Sequence, residues 1–206
     1  MEEYKVVQTW KFDLEKLKQV YHLDKLVYSE AMAGNIDSDS LRFKKVPESF
    51  LLLQTKDKVI GYLCFFPVTD MFFKGMLESD NLYDNNIMPK DMEAFEIGRN
   101  HHVFIISMVI DPEYKGLGLY KKITKSFKDR IKKYNDEGFF ISDISGYAVS
   151  GAGEHILRSY GCEIVKEIYD EEEGSAKLYI GDYQSFLKEY NKNEEWYLYI
   201  DSLSCR

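Results

Sequence analysis

Cysteine and long apolar runs are both scarce in this sequence. Three cysteines occur among 206 residues, at Cys64, Cys162 and Cys205. This odd, widely spaced set indicates reduced thiols in a reducing compartment, and with the scattered histidines it forms no disulfide framework or zinc site. The longest apolar run is about eight residues, whereas a membrane-spanning helix needs roughly 20. We therefore expect no bound metal and no membrane span.

Positive charge is also in short supply. Lysine and arginine number 27 against 35 aspartates and glutamates, which gives a formal net charge of −8 and a pI near 5.1. Nucleic acid as the main partner would require a broad basic surface, so this function class is excluded. The first ten residues, MEEYKVVQTW, lack the basic and apolar regions of a signal peptide. Together with the reduced cysteines, this predicts a cytoplasmic protein.

No repeat, low-complexity tract or linker rich in proline, glycine or serine divides the chain. With 45% hydrophobic residues, one domain over residues 1–206 can fill a sizeable core. We predict two additions to this domain. One is an insert at about 67–100, which lacks clear periodicity, and the other is an apolar extension at about 184–206.

Apolar periodicity predicts an α/β (α+β) fold, with a mixed sheet and helices on its faces. The segment 32–47 (MAGNIDSDSLRFKKVP) has no such periodicity and is predicted to be a loop. Strands are predicted at residues 4–9, 50–54, 59–66, 103–110, 139–145, 162–169 and 176–180. Helices are predicted from a cap at Asp13 to about 27, at 117–134, and at 150–159 before Gly161.

The predicted strand 103–110 leads into a turn with two glycines and then into a basic amphipathic helix. Gly116 and Gly118 allow a tight turn with exposed N–H groups, and the helix start adds positive potential. This geometry suits an anionic ligand. Lysines at the turn that could add contacts to the anion are Lys115, Lys121 and Lys122.

Two familiar phosphate loops are excluded at this turn. A dinucleotide-binding loop reads GxGxxG, but the third glycine position is Lys121. No GxxxxGK[ST] occurs in the chain, which excludes a nucleoside-triphosphate loop of that type. A different anionic ligand is therefore expected.

Two stretches of the chain resemble the signatures of the GCN5-related N-acetyltransferase (GNAT) superfamily. Residues 108–123, MVIDPEYKGLGLYKKI, are similar to V-x-P-x-[YF]-[RQ]-G-x-G-[IL]-[GA], with Lys115 at the Arg/Gln position and Tyr120 at the last Gly/Ala position. Residues 146–167, GYAVSGAGEHILRSYGCEIVKE, resemble N-x-x-A-x-x-L-Y-x-x-x-G-F, with Ser150 at the Asn position. The order and spacing match over about residues 4–183, which implies a mostly antiparallel, twisted sheet of six to seven strands.

The resemblance implies acetyl-CoA as the donor substrate and an amine as the acceptor. In this family the fourth and fifth strands splay apart, and the pantetheine arm of acetyl-CoA enters the gap between them. The residues expected to bind acetyl-CoA are Met108, Val109, Ile110, Lys115, Gly116, Leu117, Gly118, Leu119, Tyr120, Lys121 and Ser150. The expected activity is N-acetylation of a primary amine on a small cationic molecule or a protein. A silent member that binds acyl-CoA or a protein is the alternative, and a nucleotide-binding regulator is a third reading.

The resemblance leaves the acid open. The family's proton-donating tyrosine falls at Leu157, which has no proton to donate. Tyr160 is about one helical turn further on and is a candidate acid, although a half-buried aromatic at a helix end is equally in keeping with its position. Ser150 could carry a proton through water, or it could simply cap the helix.

Three residues near the start of the fourth strand are candidate bases. Glu96 lies at the approach to the strand, and His101 and His102 lie at its beginning. A histidine with a pKa near 6.5 could accept a proton at neutral pH. Each of the three could instead be a solvated loop charge or a packed ring.

The predicted insert is acidic and rich in apolar residues. Seven acids, Asp70, Glu78, Asp80, Asp84, Asp91, Glu93 and Glu96, stand against Lys74, Lys90 and Arg99. Long ordered loops are often binding loops, so we hypothesise a cover for the acceptor site that favours a polyamine, an amino sugar or a lysine side chain. A decorated hairpin or dimer contact is the alternative. The segment Tyr190–Arg206 is predicted to add a strand or to contact a second subunit, which makes a homodimer a candidate assembly.

Overall fold

The structure, a computed structural model, describes residues 3–28, 35–56, 58–81, 87–170 and 174–192. Seven described strands form one sheet in the order β1-β2-β3-β4-β5-β7-β6, and among them β4 and β5 are the parallel pair. The strands are β1 (Lys5–Gln8), β2 (Phe50–Gln54), β3 (Val59–Val68), β4 (Asn100–Ile110), β5 (Phe140–Ala148), β6 (Glu163–Asp170) and β7 (Gly174–Asp182). The predicted mixed, mostly antiparallel sheet is confirmed.

Helices cover both faces of this sheet. They are α1 (Leu14–Val27), α2 (Ile36–Lys45), α3 (Asp70–Glu78), α4 (Leu119–Asp136), α5 (Gly151–Ser159) and α6 (residues 183–192). The first three pack over one apolar core and the last three over another, so we name the two sides the α1 face and the α4 face. The predicted apolar stripe of α4 is fully buried, at Leu119, Ile123, Phe127 and Ile131. Of the helices the structure describes, none combines the length and the apolar character required to cross a bilayer.

Two segments that the sequence pattern left without structure contain helices. The predicted loop 32–47 is wrong from Ile36 onwards, because the Asn35 side chain accepts the N–H of Asp37 at 2.8 Å and begins α2. Only Phe43 of α2 is buried, so its apolar periodicity is weak. The predicted insert likewise contains α3, which begins where the Thr69 hydroxyl accepts the N–H of Phe72 at 3.2 Å.

The C-terminal extension is helical as far as the structure describes it. The ring of Phe186 in α6 is fully buried in the core of the α4 face, and its centroid lies 5.7 Å from that of Tyr183. Through Phe186, the described part of the extension packs against the core of the α4 face. The predicted strand or subunit contact of Tyr190–Arg206 falls almost wholly outside the described residues.

Candidate functional site

The sheet opens between β4 and β5. Parallel pairing runs from Asn100 opposite Phe140 to Ile105 opposite Gly146, and β4 then continues to Ile110. Within the described ranges, no strand pairs with residues 106–110 on that side, while β3 continues to pair with β4 on the other. The backbone N–H and C=O groups along this edge of β4 are therefore open to a ligand. We call this opening the β4–β5 gap.

Local features of both strands place the start of the gap. A Cβ on Gly146 would lie only 2.9 Å from the carbonyl oxygen of Ile105, so the two backbones lie close together at their last pair. One residue further, β4 has a bulge, because Cys64 pairs with Ser107 whereas Phe65 pairs with Ile105. Ile106 is the extra residue, and a bulge bends its strand and re-aims the side chains that follow.

The glycine turn lies just beyond the gap end of β4. Gly116 and Gly118 have φ values of 84° and 68°, a left-handed conformation that favours glycine. A Cβ at either position would meet no heavy atom within 4 Å. Backbone conformation, rather than crowding, therefore accounts for glycine at both positions.

The N-terminus of α4 is open to a ligand. Gly118 is its N-cap residue, and no side chain caps this 18-residue helix. By contrast, side chains of the preceding residue cap each of the other helices with described caps: Asp13 for α1, Asn35 for α2, Thr69 for α3 and Ser150 for α5. An uncapped helix start presents N–H groups and positive potential to an anion.

Exposed side chains surround this turn. Lys115, Lys121 and Leu117 are exposed, and Tyr120 is partly exposed at 39%. Lys122 instead donates a hydrogen bond to the carbonyl oxygen of Tyr4 at 3.3 Å. Of the three lysines predicted at the turn, Lys115 and Lys121 are therefore the better placed to meet an anion.

Three candidate residues follow β5: Ser150 is the N-cap of α5, Leu157 lies within this helix, and Tyr160 is its C-cap. The hydroxyl of Ser150 accepts the N–H of Gly153 at 3.2 Å, which is the capping role. A Cβ on Gly146 would lie 3.3 Å from Leu157, so an apolar side chain stands beside the start of the gap. Tyr160 is 0% exposed, and burial raises the pKa of its hydroxyl. Its ring centroid lies 4.7 Å from that of Phe127, within the core of the α4 face.

The three candidate bases lie at the other end of β4. Glu96 is exposed, and its carboxylate lies 3.2 Å from Arg99. His101 is fully buried, with Nε2 3.1 Å from the carbonyl oxygen of Glu96. From His102 to Ser107 the strand rises roughly 16 Å, at about 3.3 Å per residue. The structure therefore does not bring these three residues to the β4–β5 gap.

His102 has a well-defined set of contacts at that end. Its Nδ1 lies 2.5 Å from the carboxylate of Asp143, its Nε2 lies 3.3 Å from Asp70, and its ring stacks on Phe73 with centroids 4.0 Å apart. The hydrogen bond to Asp143 raises the pKa of His102. This arrangement joins α3 to β4 and β5 far from the glycine turn.

The sequence patterns missed a polar chain at the gap itself. Ser107 of β4 lies 3.1 Å from the hydroxyl of Tyr28 and 2.8 Å from that of Tyr62, which in turn donates to the carboxylate of Asp24. Asp24 lies on the apolar side of α1 and is only 7% exposed. The one feature of the sequence that could have pointed to this chain is Asp24, an acid within the apolar stripe of α1, four residues before Tyr28.

The two ends of the insert lie at different places along the sheet. Residues 91 and 93 bind the backbone of Thr69 and Pro67, at the His102 end of β4. The other end of α3 reaches β6, where Lys166 donates to the carbonyl oxygens of Leu77 and Ser79. Lys166 lies opposite Leu178, which is beside Tyr147 at the gap end of β5.

An open strand edge beside a glycine turn and an uncapped helix start defines the class of acyltransferases that hold acyl-CoA between splayed strands. The profile of the acetyltransferase (GNAT) family matches residues 14–143, and the chain belongs to this family. No curated protein sequence matches the chain. The expected superfamily is therefore confirmed, and the protein is a GNAT acyltransferase.

Solved structures share this fold at low sequence identity. The loading GNATL domain of CurA from Lyngbya majuscula has a TM-score of 0.66 at 14% identity, covering 88% of this chain and 98% of that one. The NatC complex bound to Gag peptide and CoA has a TM-score of 0.60 at 14% identity, covering 87% of this chain and 98% of that one. Arabidopsis thaliana Naa50 in complex with the bisubstrate analogue CoA-Ac-MVNAL has a TM-score of 0.56 at 12% identity, covering 87% of this chain and 99% of that one.

Proposed function

We propose that the protein is an acetyl-CoA-dependent N-acetyltransferase acting on a primary amine of a small cationic molecule or a protein. The observation that carries this proposal is the unpaired edge of β4 at residues 106–110, directly before the open N-terminus of α4. The pantetheine arm of acetyl-CoA can pair with a strand edge, and its pyrophosphate suits a helix start. Family membership supports the same donor.

The proposed binding surface has two parts. Backbone groups of Met108, Val109 and Ile110 pair with the pantetheine arm. Amides along residues 115–121 hold the pyrophosphate, with Lys115 and Lys121 adding positive charge from their exposed positions. Lysine at position 115 offers a point charge and not the planar fork of arginine, so the backbone provides most of the geometry.

The chemistry is a direct transfer. A neutral amine attacks the thioester carbonyl, and donors fixed in the gap stabilise the oxyanion. Leu157 beside the gap cannot protonate the sulfur. A thiol has a pKa of about 8.5, so a thiolate can depart without a dedicated acid at neutral pH. Tyr160 and Ser150 as acids, and Glu96 as a base, stay predictions of the sequence.

A cationic acceptor is the class we favour. The structures of the NatC complex with Gag peptide and CoA and of Naa50 with CoA-Ac-MVNAL, which share the fold, hold peptide-like groups together with CoA, and this supports an amine acceptor. In this chain, Glu78 and Asp80 are exposed at the end of α3 that reaches β6. Glu93 and Glu96, at the other end of the insert, already lie 3.4 and 3.2 Å from Arg99. Glu78 and Asp80 are therefore the better candidates to attract the amine.

The test of the proposed function is release of CoA thiol from acetyl-CoA. The panel of amines is spermidine, glucosamine, a lysine-containing peptide with a blocked N-terminus, and a peptide with a free N-terminus. We expect thiol release that depends on at least one amine. Binding of acetyl-CoA without release from any amine would contradict the transferase and support the silent acyl-CoA-binding member, which Leu157 beside the gap favours. Stabilisation by a mononucleotide but not by CoA would contradict both.

A pair of charge reversals locates the acetyl-CoA site. Lys115→Glu with Lys121→Glu should raise the Kd for acetyl-CoA at least tenfold, because a charged hydrogen bond is worth about 1.5–3 kcal/mol. Lys133→Glu is the matched control, since this lysine is also exposed but lies in the last turn of α4. Calorimetric titration at one fixed salt concentration measures all three proteins. Equal Kd values would contradict the placement.

A further inference from the structure

We propose that Ser107, Tyr62 and Asp24 form a proton-accepting chain that deprotonates the acceptor amine at the β4–β5 gap, with Tyr28 orienting Ser107. This inference rests on the proposed acetyl transfer and names the proton acceptor that the sequence patterns did not find. It is carried by the hydrogen bonds that join these four side chains, by their order from half-buried to buried, and by the position of Ser107 at the start of the gap.

The chain passes from the gap into the core. Ser107 and Tyr28 are half-buried, whereas Tyr62 and Asp24 are 1% and 7% exposed. The oxygen of Ser107 lies 2.8 Å from that of Tyr62, within ordinary O–H···O distance. Tyr62 donates to Oδ1 of Asp24. A proton that reaches Ser107 can therefore move inward through one hydroxyl to a carboxylate.

Ser107 is placed where an acceptor amine meets the thioester. It is the second residue of β4 beyond the last pair with β5. Because Ile106 is the extra residue of the bulge, Ser107 contacts Tyr62 on the α1 face. The glycine turn leads into α4 on the opposite face. The donor is thus held from the α4 face, and the amine approaches from the α1 face.

When Asp24 is ionised, every hydrogen bond of the chain donates towards Asp24. A carboxylate only accepts, so the proton of Tyr62 is committed to Asp24. The hydroxyl of Ser107 must then donate to Tyr62, and that of Tyr28 donates to Ser107. A serine oxygen has two lone pairs. One lone pair accepts the hydrogen bond from Tyr28. The second is left to accept an N–H of the acceptor's ammonium group.

The charges around Asp24 fit the role of a base. Burial raises its pKa to about 6, and Asp39 of α2 adds to the rise, while the hydrogen bond from Tyr62 and the charge of Arg42 oppose it. Cys64 of β3 also faces this cluster, and burial raises the pKa of its thiol, so the thiol stays neutral. A carboxylate with this pKa is largely ionised at pH 7, yet it binds a proton more tightly than an ordinary aspartate.

The step balances in atoms and charge. The ammonium group of the acceptor gives one proton to Ser107, Ser107 gives its own proton to Tyr62, and Tyr62 gives its proton to Asp24. The neutral nitrogen then forms a bond to the thioester carbon as the carbon–sulfur bond breaks, and the sulfur keeps the electron pair. The second N–H proton goes to the sulfur and yields the free thiol. Asp24 later returns its proton to solvent through the same hydroxyls.

The experiment removes each hydrogen-bonding group of the proton-accepting chain in turn. Asp24→Asn, Tyr62→Phe and Ser107→Ala are measured with acetyl-CoA and the fastest amine of the panel. We expect kcat to fall about 100-fold, the lower range for a general base, with the KM for acetyl-CoA unchanged. In the unaltered protein kcat should fall below pH 6 as Asp24 is protonated, and this acidic limb should vanish in Asp24→Asn.

Asp39→Asn is the matched control. Asp39 is also an acid whose pKa is raised by burial, and its carboxylate lies 3.2 Å from Arg42. It takes no part in the hydrogen bonds that join the three hydroxyls to one another and to Asp24. Its replacement should keep kcat and the acidic limb, with the limb moved to slightly lower pH because Asp39 raises the pKa of Asp24. Circular dichroism verifies that each variant is folded. If Asp24→Asn does not fold, Tyr62→Phe still interrupts the hydrogen-bonded chain and tests the same proposal.

Infrared difference spectra between pH 7 and pH 5 provide a readout without any acceptor. A buried protonated carboxyl band should appear in the unaltered protein and in Asp39→Asn, and be lost in Asp24→Asn. Absence of that band, or unchanged kcat and pH profile in the folded variants, would overturn the inference. Absence of turnover in the unaltered protein, with the band present, would count against the proposed acetyl transfer instead.

Discussion

Replacement of Gly146 by alanine should destabilise the protein at the point where the sheet opens. The new Cβ would lie 2.9 Å from the carbonyl oxygen of Ile105, a backbone atom that cannot rotate away, and 3.3 Å from Leu157, whose side chain can. Strand separation must therefore increase. Overpacking of this kind costs about 1–3 kcal/mol, which lowers the Tm of a domain of this size by roughly 2–4 °C per kcal/mol.

The matched control is Gly151→Ala, because a Cβ there would meet no atom within 4 Å and the residue is the first of α5. Alanine favours a helix over glycine by up to about 1 kcal/mol, so this variant should be as stable as the unaltered protein or slightly more so. Urea denaturation measures the free energy of unfolding of all three proteins. Acetyl-CoA titration should also show weaker binding by Gly146→Ala, since Ile105 borders the gap. A Gly146→Ala variant as stable as the unaltered protein would refute the reasoning.

Three further substitutions test other parts of the structure. His102→Gln should lower the free energy of unfolding most below pH 6.5, because Asp143 raises the pKa of folded His102. The loss of stability relative to the unaltered protein should shrink as pH rises through that raised pKa. Urea denaturation measures it, and a loss that does not depend on pH would contradict the ion pair. Tyr160→Phe should keep kcat in the thiol-release assay, since the ring is buried in the core, whereas a 100-fold loss would restore its role as an acid. Glu78→Gln with Asp80→Asn should raise the KM for a cationic amine but not for acetyl-CoA; an unchanged KM would remove these acids from the acceptor site.

The anion turn was predictable because its signals are local. Gly116 and Gly118 are two residues apart, and both adopt the left-handed conformation that the sequence suggests. The α4 stripe repeats every four residues and is buried throughout. By contrast, α2 escaped prediction because only Phe43 of its ten residues is buried. A helix held by caps and end charges leaves little apolar pattern to detect.

The proposed proton chain was not predictable from local pattern. Asp24 lies in α1 and Tyr28 is the C-cap of that helix. Tyr62 and Ser107 come from β3 and β4 and meet these two residues only in the folded protein. The side to which Ser107 points depends on the bulge at Ile106, which shifts the two-residue alternation of a strand. Closeness to β4 along the chain favours Glu96 and the neighbouring histidines, but the structure places them at the end of β4 far from the gap.

The most direct test of the acyl-CoA site is amide hydrogen exchange with and without acetyl-CoA. Bound acetyl-CoA should protect the amides of residues 108–110 on the open edge of β4 and those of residues 116–121 at the turn and start of α4. The paired half of β4, residues 100–105, should change little because it is already bonded to β5. Protection confined to other segments, or none at all at a saturating concentration, would contradict the binding of acyl-CoA in the β4–β5 gap.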